Sequence, residues 1–109
     1  MSESAELLQG TLDLLILRTL SLQPLHGVGV SDRIRQFSSG VFEVKPGSLF
    51  PALHRLEEKG WIAGEWSRTE TGRRARFYKL TVAGRKQLAR ETRSWRAAAG
   101  AVESVLAAE

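Results

Sequence analysis

Hydrophobic positions along the chain fall into runs of different period, and the periods predict the elements. From Leu7 to Ser21 the apolar residues Leu8, Leu12, Leu14, Leu15, Ile16, Leu17 and Leu20 occupy more than one face of a helical wheel. A helix of that kind belongs at the centre of a domain, nearly surrounded by other elements. Pro24 stops it, and a Pro24-Leu25-His26-Gly27 turn leads into a second helix that runs to about Phe37. Val30, Ile34 and Phe37 repeat there at i, i+4, i+7, one amphipathic stripe. Ser38-Ser39-Gly40 ends that helix. Val41 to Gly47 reads as a connection with a short extended piece at Phe42-Glu43-Val44.

A third helix is expected to open near Ser48 and to end at Gly60. With Ser48 as N-cap, Pro51 falls in the first turn, where its missing N–H has no helical partner to lose. Leu49, Leu53 and Leu56 form its buried stripe. Phe50, Pro51, His54 and Glu58 point away from it, with Arg55 at the margin. Trp61 to Arg68 and Arg76 to Thr81 have the aromatic and branched residues of two strands, joined by a glycine-containing loop over residues 69–75. Tyr78 and Leu80 are expected to face the helices, Phe77 and Lys79 the other side, and Trp61 to join the core. Thr81 is placed to cap a last helix that runs to about Leu106, roughly 40 Å at the helical rise. Leu88, Trp95 and Val102 recur along it at intervals of seven, with Ala98, Val105 and Leu106 alongside. A stripe on a helix longer than its own domain needs a partner, and a second copy of the same helix is the simplest one. Gly100 weakens that helix locally, by about 1 kcal/mol relative to alanine.

The resulting fold class is mainly α with a small β hairpin: a winged helix-turn-helix followed by a long C-terminal helix. Residues 1–81 would form the winged unit and residues 82–109 the dimerisation helix, in one continuous body. At 109 residues the chain suits a single small domain.

Charge sharpens the picture more than composition does. Residues 61–96 contain ten Lys/Arg against three Asp/Glu, whereas residues 1–60 contain six against seven. A basic block in an otherwise neutral chain is an electrostatic footprint for a polyanion. With no cysteine, disulfides, thiolate catalysis and zinc–cysteine sites are excluded. His26 and His54 form no metal-ligand pattern, Gly27 and Gly29 lack the third glycine of a nucleotide loop, and Glu57 and Glu58 diverge on adjacent helical positions. No enzyme, cofactor or metal is therefore expected. The apolar run Leu12 to Leu22 is too short to span a bilayer, and the leading residues do not resemble a secretion signal. A cytoplasmic location is the expectation.

Four motifs in order resemble the PadR-type transcriptional regulators, especially the short subgroup with one terminal helix. They are Gln9-Gly10-Thr11-Leu12-Asp13-Leu14-Leu15-Ile16-Leu17; His26-Gly27-x-Gly29; Gly47-Ser48-Leu49-Phe50-Pro51-Ala52-Leu53-x-Arg55-Leu56-Glu57; and Arg73-Arg74-x-Arg76-x-Tyr78-x-Leu80-Thr81-x-x-Gly84. The resemblance covers nearly the whole chain. It implies a homodimeric bacterial repressor on a pseudo-palindromic operator, in some members released by a small hydrophobic or phenolic ligand near the dimer interface. Two departures stand out. Val28 and Val30 replace the tyrosine and larger aliphatic residue common in the glycine motif, and Phe50 replaces a frequent tyrosine.

On this basis double-stranded DNA is the expected partner. The expected contacts are Ser48 to phosphate, Lys45 to phosphate or a guanine edge, Phe50, Pro51, His54 and Arg55 on helix three, and Arg68, Arg73, Arg74 and Arg76 around the hairpin. Arginine forks suit phosphate oxygens or a narrow minor groove, and such contacts add affinity with little selection. Phe50, without a hydroxyl, is left an apolar contact with a thymine methyl. Leu88, Trp95, Ala98, Val102, Val105 and Leu106 are the expected dimer seam, with Trp95 also the candidate for an effector pocket. The competing expectation is a winged helix used only for protein–protein association.

Overall fold

A computed structural model describes residues 9–109. Its elements are α1 (Gln9–Leu22), β1 (Leu25–His26), α2 (Gly27–Phe37), α3 (Pro46–Glu58), β2 (Ile62–Arg68), β3 (Arg74–Leu80) and α4 (Val82–Leu106). The chain is thus mainly helical with a small antiparallel sheet, a winged helix with a long terminal helix. The expected start of the first helix, with Leu7 and Leu8, lies outside the described residues.

Helix α1 is the central element: Leu12, Ile16, Leu17 and Leu20 are buried, and α2, α3, α4 and β3 all pack against it. Val30 and Ile34 of α2 and Leu49, Ala52, Leu53 and Leu56 of α3 complete the helical core, and Ile62, Tyr78 and Leu80 close it from the sheet. Trp61 packs at the edge of this cluster. Phe37, expected to extend the α2 stripe, is instead exposed. The chain turns immediately after it, at Ser39 and Gly40, both with positive φ, so the stripe ends with the helix and Phe37 sits at its margin.

The hairpin is part of a three-stranded sheet of order β1-β3-β2. Leu25 and His26, expected in a turn, pair with Tyr78 and Phe77. Two residues are too few to show a period of two, so only the fold around them reveals the strand. Strand β3 starts at Arg74, not Arg76, and the connecting turn shortens to residues 69–73. The segment Phe42-Glu43-Val44 forms no strand, although Val44 is buried in the core.

Helix α3 opens earlier than expected. Lys45 is its N-cap and Pro46 its first residue. Proline fits that place, because its φ is already helical and its absent N–H would be unpaired anyway. Ser48 is therefore inside the first turn, with its N–H donating to the Lys45 carbonyl at 3.0 Å, and its hydroxyl caps nothing. Pro51 falls in the helix interior. It withholds the donor for the Gly47 carbonyl, and both residues are exposed, so that carbonyl can turn to solvent.

The far end of α3 is closed by Gly60 at φ 77°, with Gly60 N–H donating to Glu57 and Trp61 N–H to Leu56. This is the left-handed glycine end that turns the chain straight into β2. Thr81 caps α4 as expected, its hydroxyl accepting from Gly84 N–H at 3.0 Å. Gly84 is required for another reason: a Cβ there would overlap the Trp61 carbonyl oxygen and stand 2.7 Å from Leu80 Cδ1. Glycine thus lets α4 dock directly onto the backbone entering β2.

Candidate nucleic-acid interface

The outward side of α3 carries Lys45, Ser48, Phe50, Pro51 and His54, all exposed. Two of them are engaged within the protein. Phe50, 47% exposed, lays its ring over the start of α2, where a Cβ on Gly27 would stand 2.7 Å from Phe50 Cε1. The glycine of the His26-Gly27-x-Gly29 motif thus makes room for an aromatic side chain of α3. His54 Nε2 lies 3.4 Å from Glu58 Oε2 one turn along, and both side chains are well exposed. Pro51 and Ser48 make no side-chain hydrogen bond among the described residues.

Arg55 is placed differently from expectation. It turns inward to α1, where Nη2 donates to Asp13 Oδ1 at 2.5 Å. The side chains are 29% and 13% exposed. Burial pushes the Asp13 carboxyl above its ordinary value, and the Arg55 hydrogen bond and charge offset only part of that. The pair ties the candidate reading helix to the central helix, and its guanidinium is taken up by that carboxylate, not by Glu57 or Glu58.

The turn between β2 and β3 is held by its own backbone and hydroxyls. Thr69 N–H donates to the Arg73 carbonyl at 2.8 Å, Gly72 N–H to Thr69 at 2.9 Å, and Arg73 N–H to the Thr69 hydroxyl at 3.2 Å. Gly72 takes φ 86°. Arg68 closes the turn by donating from Nη1 to the Gly72 carbonyl at 2.8 Å. The side chains of Arg68, Arg73 and Arg74 are exposed there, with no carboxylate partner among the described residues. Beside the turn, an open cleft of about 680 Å³ is bordered by Val28 and Arg33 of α2, by Phe77, and by Arg73 and Arg74. The His26 and Phe77 rings meet at 5.1 Å on its floor, across β1 and β3. Arg76 is apart from this group: Nη2 donates to Glu57 Oε2 at 2.5 Å, and that hydrogen bond holds the guanidinium still more firmly protonated.

From the sequence alone, Trp66 has no assigned role. It is 55% exposed on β2, opposite Arg76 in the register, with the Arg74 guanidinium 4.5 Å from its ring centroid. The signal available in the sequence was an aromatic residue two positions beyond Gly64 on the side of the strand that carries Ile62, past the end of the core.

On α4 the expected seam divides. Leu88 is partly buried against the chain's own core. Trp95, Ala98, Val102, Val105 and Leu106 are exposed, Trp95 at 50%. Leu88 differs because it stands less than two turns from Gly84, where the helix is still docked.

Comparison with known proteins agrees with this architecture. The model of the transcriptional regulator PadR-like family matches residues 16–90. The chain belongs to the PadR-like family of transcriptional regulators. It is 36% identical over 70 residues to transcriptional regulator Rv3488 of Mycobacterium tuberculosis, covering 64% of this chain and 62% of that protein. A transcriptional regulator from Clostridium thermocellum superposes with a TM-score of 0.80 at 26% identity, covering 88% of this chain and 93% of its own. A PadR-like transcriptional regulator from Bacillus cereus gives 0.78 at 26% identity, covering 93% and 96%. The family is one of regulators, not enzymes. Among the described residues no helix is long and apolar enough to cross a membrane.

Proposed function

We propose that this PadR-family protein is a sequence-specific DNA-binding regulator, acting as a homodimeric repressor on a pseudo-palindromic operator. Residues 1–81 are the DNA-binding unit and residues 82–109 the dimerisation helix. The observation that carries the reading is the combination of an exposed outward face on α3 with the exposed arginines of the turn between β2 and β3. A helix fits the major groove, where base edges differ in donors and acceptors, and guanidinium groups suit the adjoining phosphates.

In this arrangement Pro51 and His54 face base edges, and Phe50 offers the exposed part of its ring to a thymine methyl. Lys45 and Ser48 stand at the positive end of α3, where a phosphate is favoured. Arg68, Arg73 and Arg74 grip the flanking backbone. Arg55 is a weaker candidate for a direct contact, because Asp13 already holds it. The exposed residues of α4 from Trp95 onward supply the seam between two copies. Trp95, half exposed, also offers its ring to a small hydrophobic or phenolic effector. Such a protein works in the bacterial cytoplasm, at the nucleoid when bound.

Selection of bound duplexes from a random pool, followed by a salt series on the selected sequence, tests the proposal. The expected result is two related half-sites about one or two helical turns apart and affinity that falls steeply with salt. Stable dimers with no duplex affinity at low salt would instead favour a protein–protein module.

A further inference from the structure

Between α3 and the tip of the hairpin runs a continuous chain of charged and aromatic groups. Glu57 Oε2, near the end of α3, accepts from Gly64 N–H at 3.2 Å and from Arg76 Nη2 at 2.5 Å. The Arg76 guanidinium carbon lies 5.9 Å from the Trp66 ring centroid and 6.0 Å from that of Tyr78. Trp66 in turn carries Arg74 at 4.5 Å. Gly64 is part of the arrangement, since a Cβ there would stand 2.5 Å from Arg76 Nε.

We propose that this chain is a positioning device for DNA binding: Glu57, Arg76 and Trp66 fix where Arg74 stands relative to α3. The inference rests on the DNA-binding reading above and assigns separate roles to two arginines that the sequence could only group together. Arg76 and Arg74 approach the same ring, so their charges would repel if both were free. The Glu57 carboxylate compensates Arg76, and among the described residues no carboxylate pairs with Arg74. Arg74 is therefore the member whose charge is available to a phosphate, while Arg76 supports the ring beneath it. An unrestrained arginine loses much rotamer freedom when it is immobilised at an interface. A guanidinium already stacked on Trp66 loses less and meets its phosphate in register with the outward face of α3. The same reasoning accounts for a tryptophan left half exposed, beyond the end of the core.

Simple electrostatics and the positioning role predict opposite signs for Glu57. Removing a carboxylate near a DNA-facing surface should strengthen binding to a polyanion. If Glu57 acts through Arg74, removing its charge should weaken binding.

The test measures affinity of the full chain for the selected duplex at one fixed salt concentration. The proteins are wild type, Glu57→Gln, Trp66→Phe, Trp66→Leu and Arg74→Ala, and the doubles of Glu57→Gln and Trp66→Leu with Arg74→Ala. Glu57→Gln and Trp66→Leu are each expected to weaken binding about three- to fivefold, the size of an exposed cation–π contact. Trp66→Phe should lose less, because it keeps a ring. In the Arg74→Ala background both penalties should shrink to within about twofold of none, as expected for residues that act through Arg74. Tighter binding by Glu57→Gln, or equal penalties in both backgrounds, overturns the proposal. Circular dichroism of each variant checks the fold, and the exposed Trp66 variants carry the test if Glu57→Gln does not fold. A wild-type protein that binds no duplex at low salt overturns the DNA-binding reading and this inference together. Binding without coupling overturns the inference alone.

Discussion

Gly84 stands in the first turn of α4, where the helix meets the backbone entering β2. A methyl group there would overlap the Trp61 carbonyl oxygen and come within 2.7 Å of Leu80 Cδ1 and 2.9 Å of the Trp61 carbonyl carbon. Two of those three atoms are backbone, so the clash cannot be relieved by a rotamer change. Either α4 moves out or the Gly60–Trp61 turn deforms. Overpacking of this kind costs about 1–3 kcal/mol, and displacement of α4 also endangers the Thr81 cap, worth about 1 kcal/mol. Alanine returns about 1 kcal/mol through helix propensity. The net expectation for Gly84→Ala is destabilisation by about 2 kcal/mol. Gly100 is the matched control: it lies on the same helix with nothing within 4 Å of a built Cβ, so Gly100→Ala should stabilise by up to about 1 kcal/mol. Urea unfolding followed by circular dichroism, at one protein concentration because association adds to apparent stability, reads both variants. A Gly84→Ala protein as stable as wild type would refute the close docking of α4 on Trp61.

Three further outcomes are expected. Replacing Arg73 and Arg74 together with alanine should weaken binding to all duplexes and reduce the dependence of log affinity on log salt by up to about two phosphate contacts; an unchanged slope in a salt titration would remove the turn from the interface. Trp95→Glu should convert dimers to monomers in sedimentation velocity, because it places a charge within the exposed apolar stripe; an intact dimer would place the seam elsewhere. Asp13 should give stability an unusual pH dependence. Its carboxyl is raised in the folded protein, so between the unfolded value and the raised one the native state holds a proton that the unfolded chain has released. Its contribution is therefore greatest below the ordinary aspartate value of about 3.9 and is lost as pH rises through the raised one. Urea unfolding across that window should show this fall relative to Asp13→Asn, and parallel profiles for the two proteins would contradict it.

Local signals made most of the fold legible. The caps and breakers were strong: Thr81 caps α4, Gly60 ends α3, and the alternation through Tyr78 and Leu80 names the core side of β3. Local reading failed where the outcome depended on elements distant in the chain. Pro46 and Pro51 can each stand near a helix start, and only the path of the chain selects Pro46. Leu25 and His26 look like a turn until β3 arrives beside them. Phe37 continues a faultless stripe but is left more than half exposed.

Residue type at short spacing was enough to place the four helices and the hairpin in order, with most of the core stripes, the basic block and the family. The tertiary structure decided which charges are free. Arg55, Arg74 and Arg76 are alike on paper. Folding brings Asp13 to the first across 42 positions of chain, sets Trp66 beneath the second, and places Glu57 against the third. Pairing in space depends on which elements pack together, and no local pattern in the residues records that.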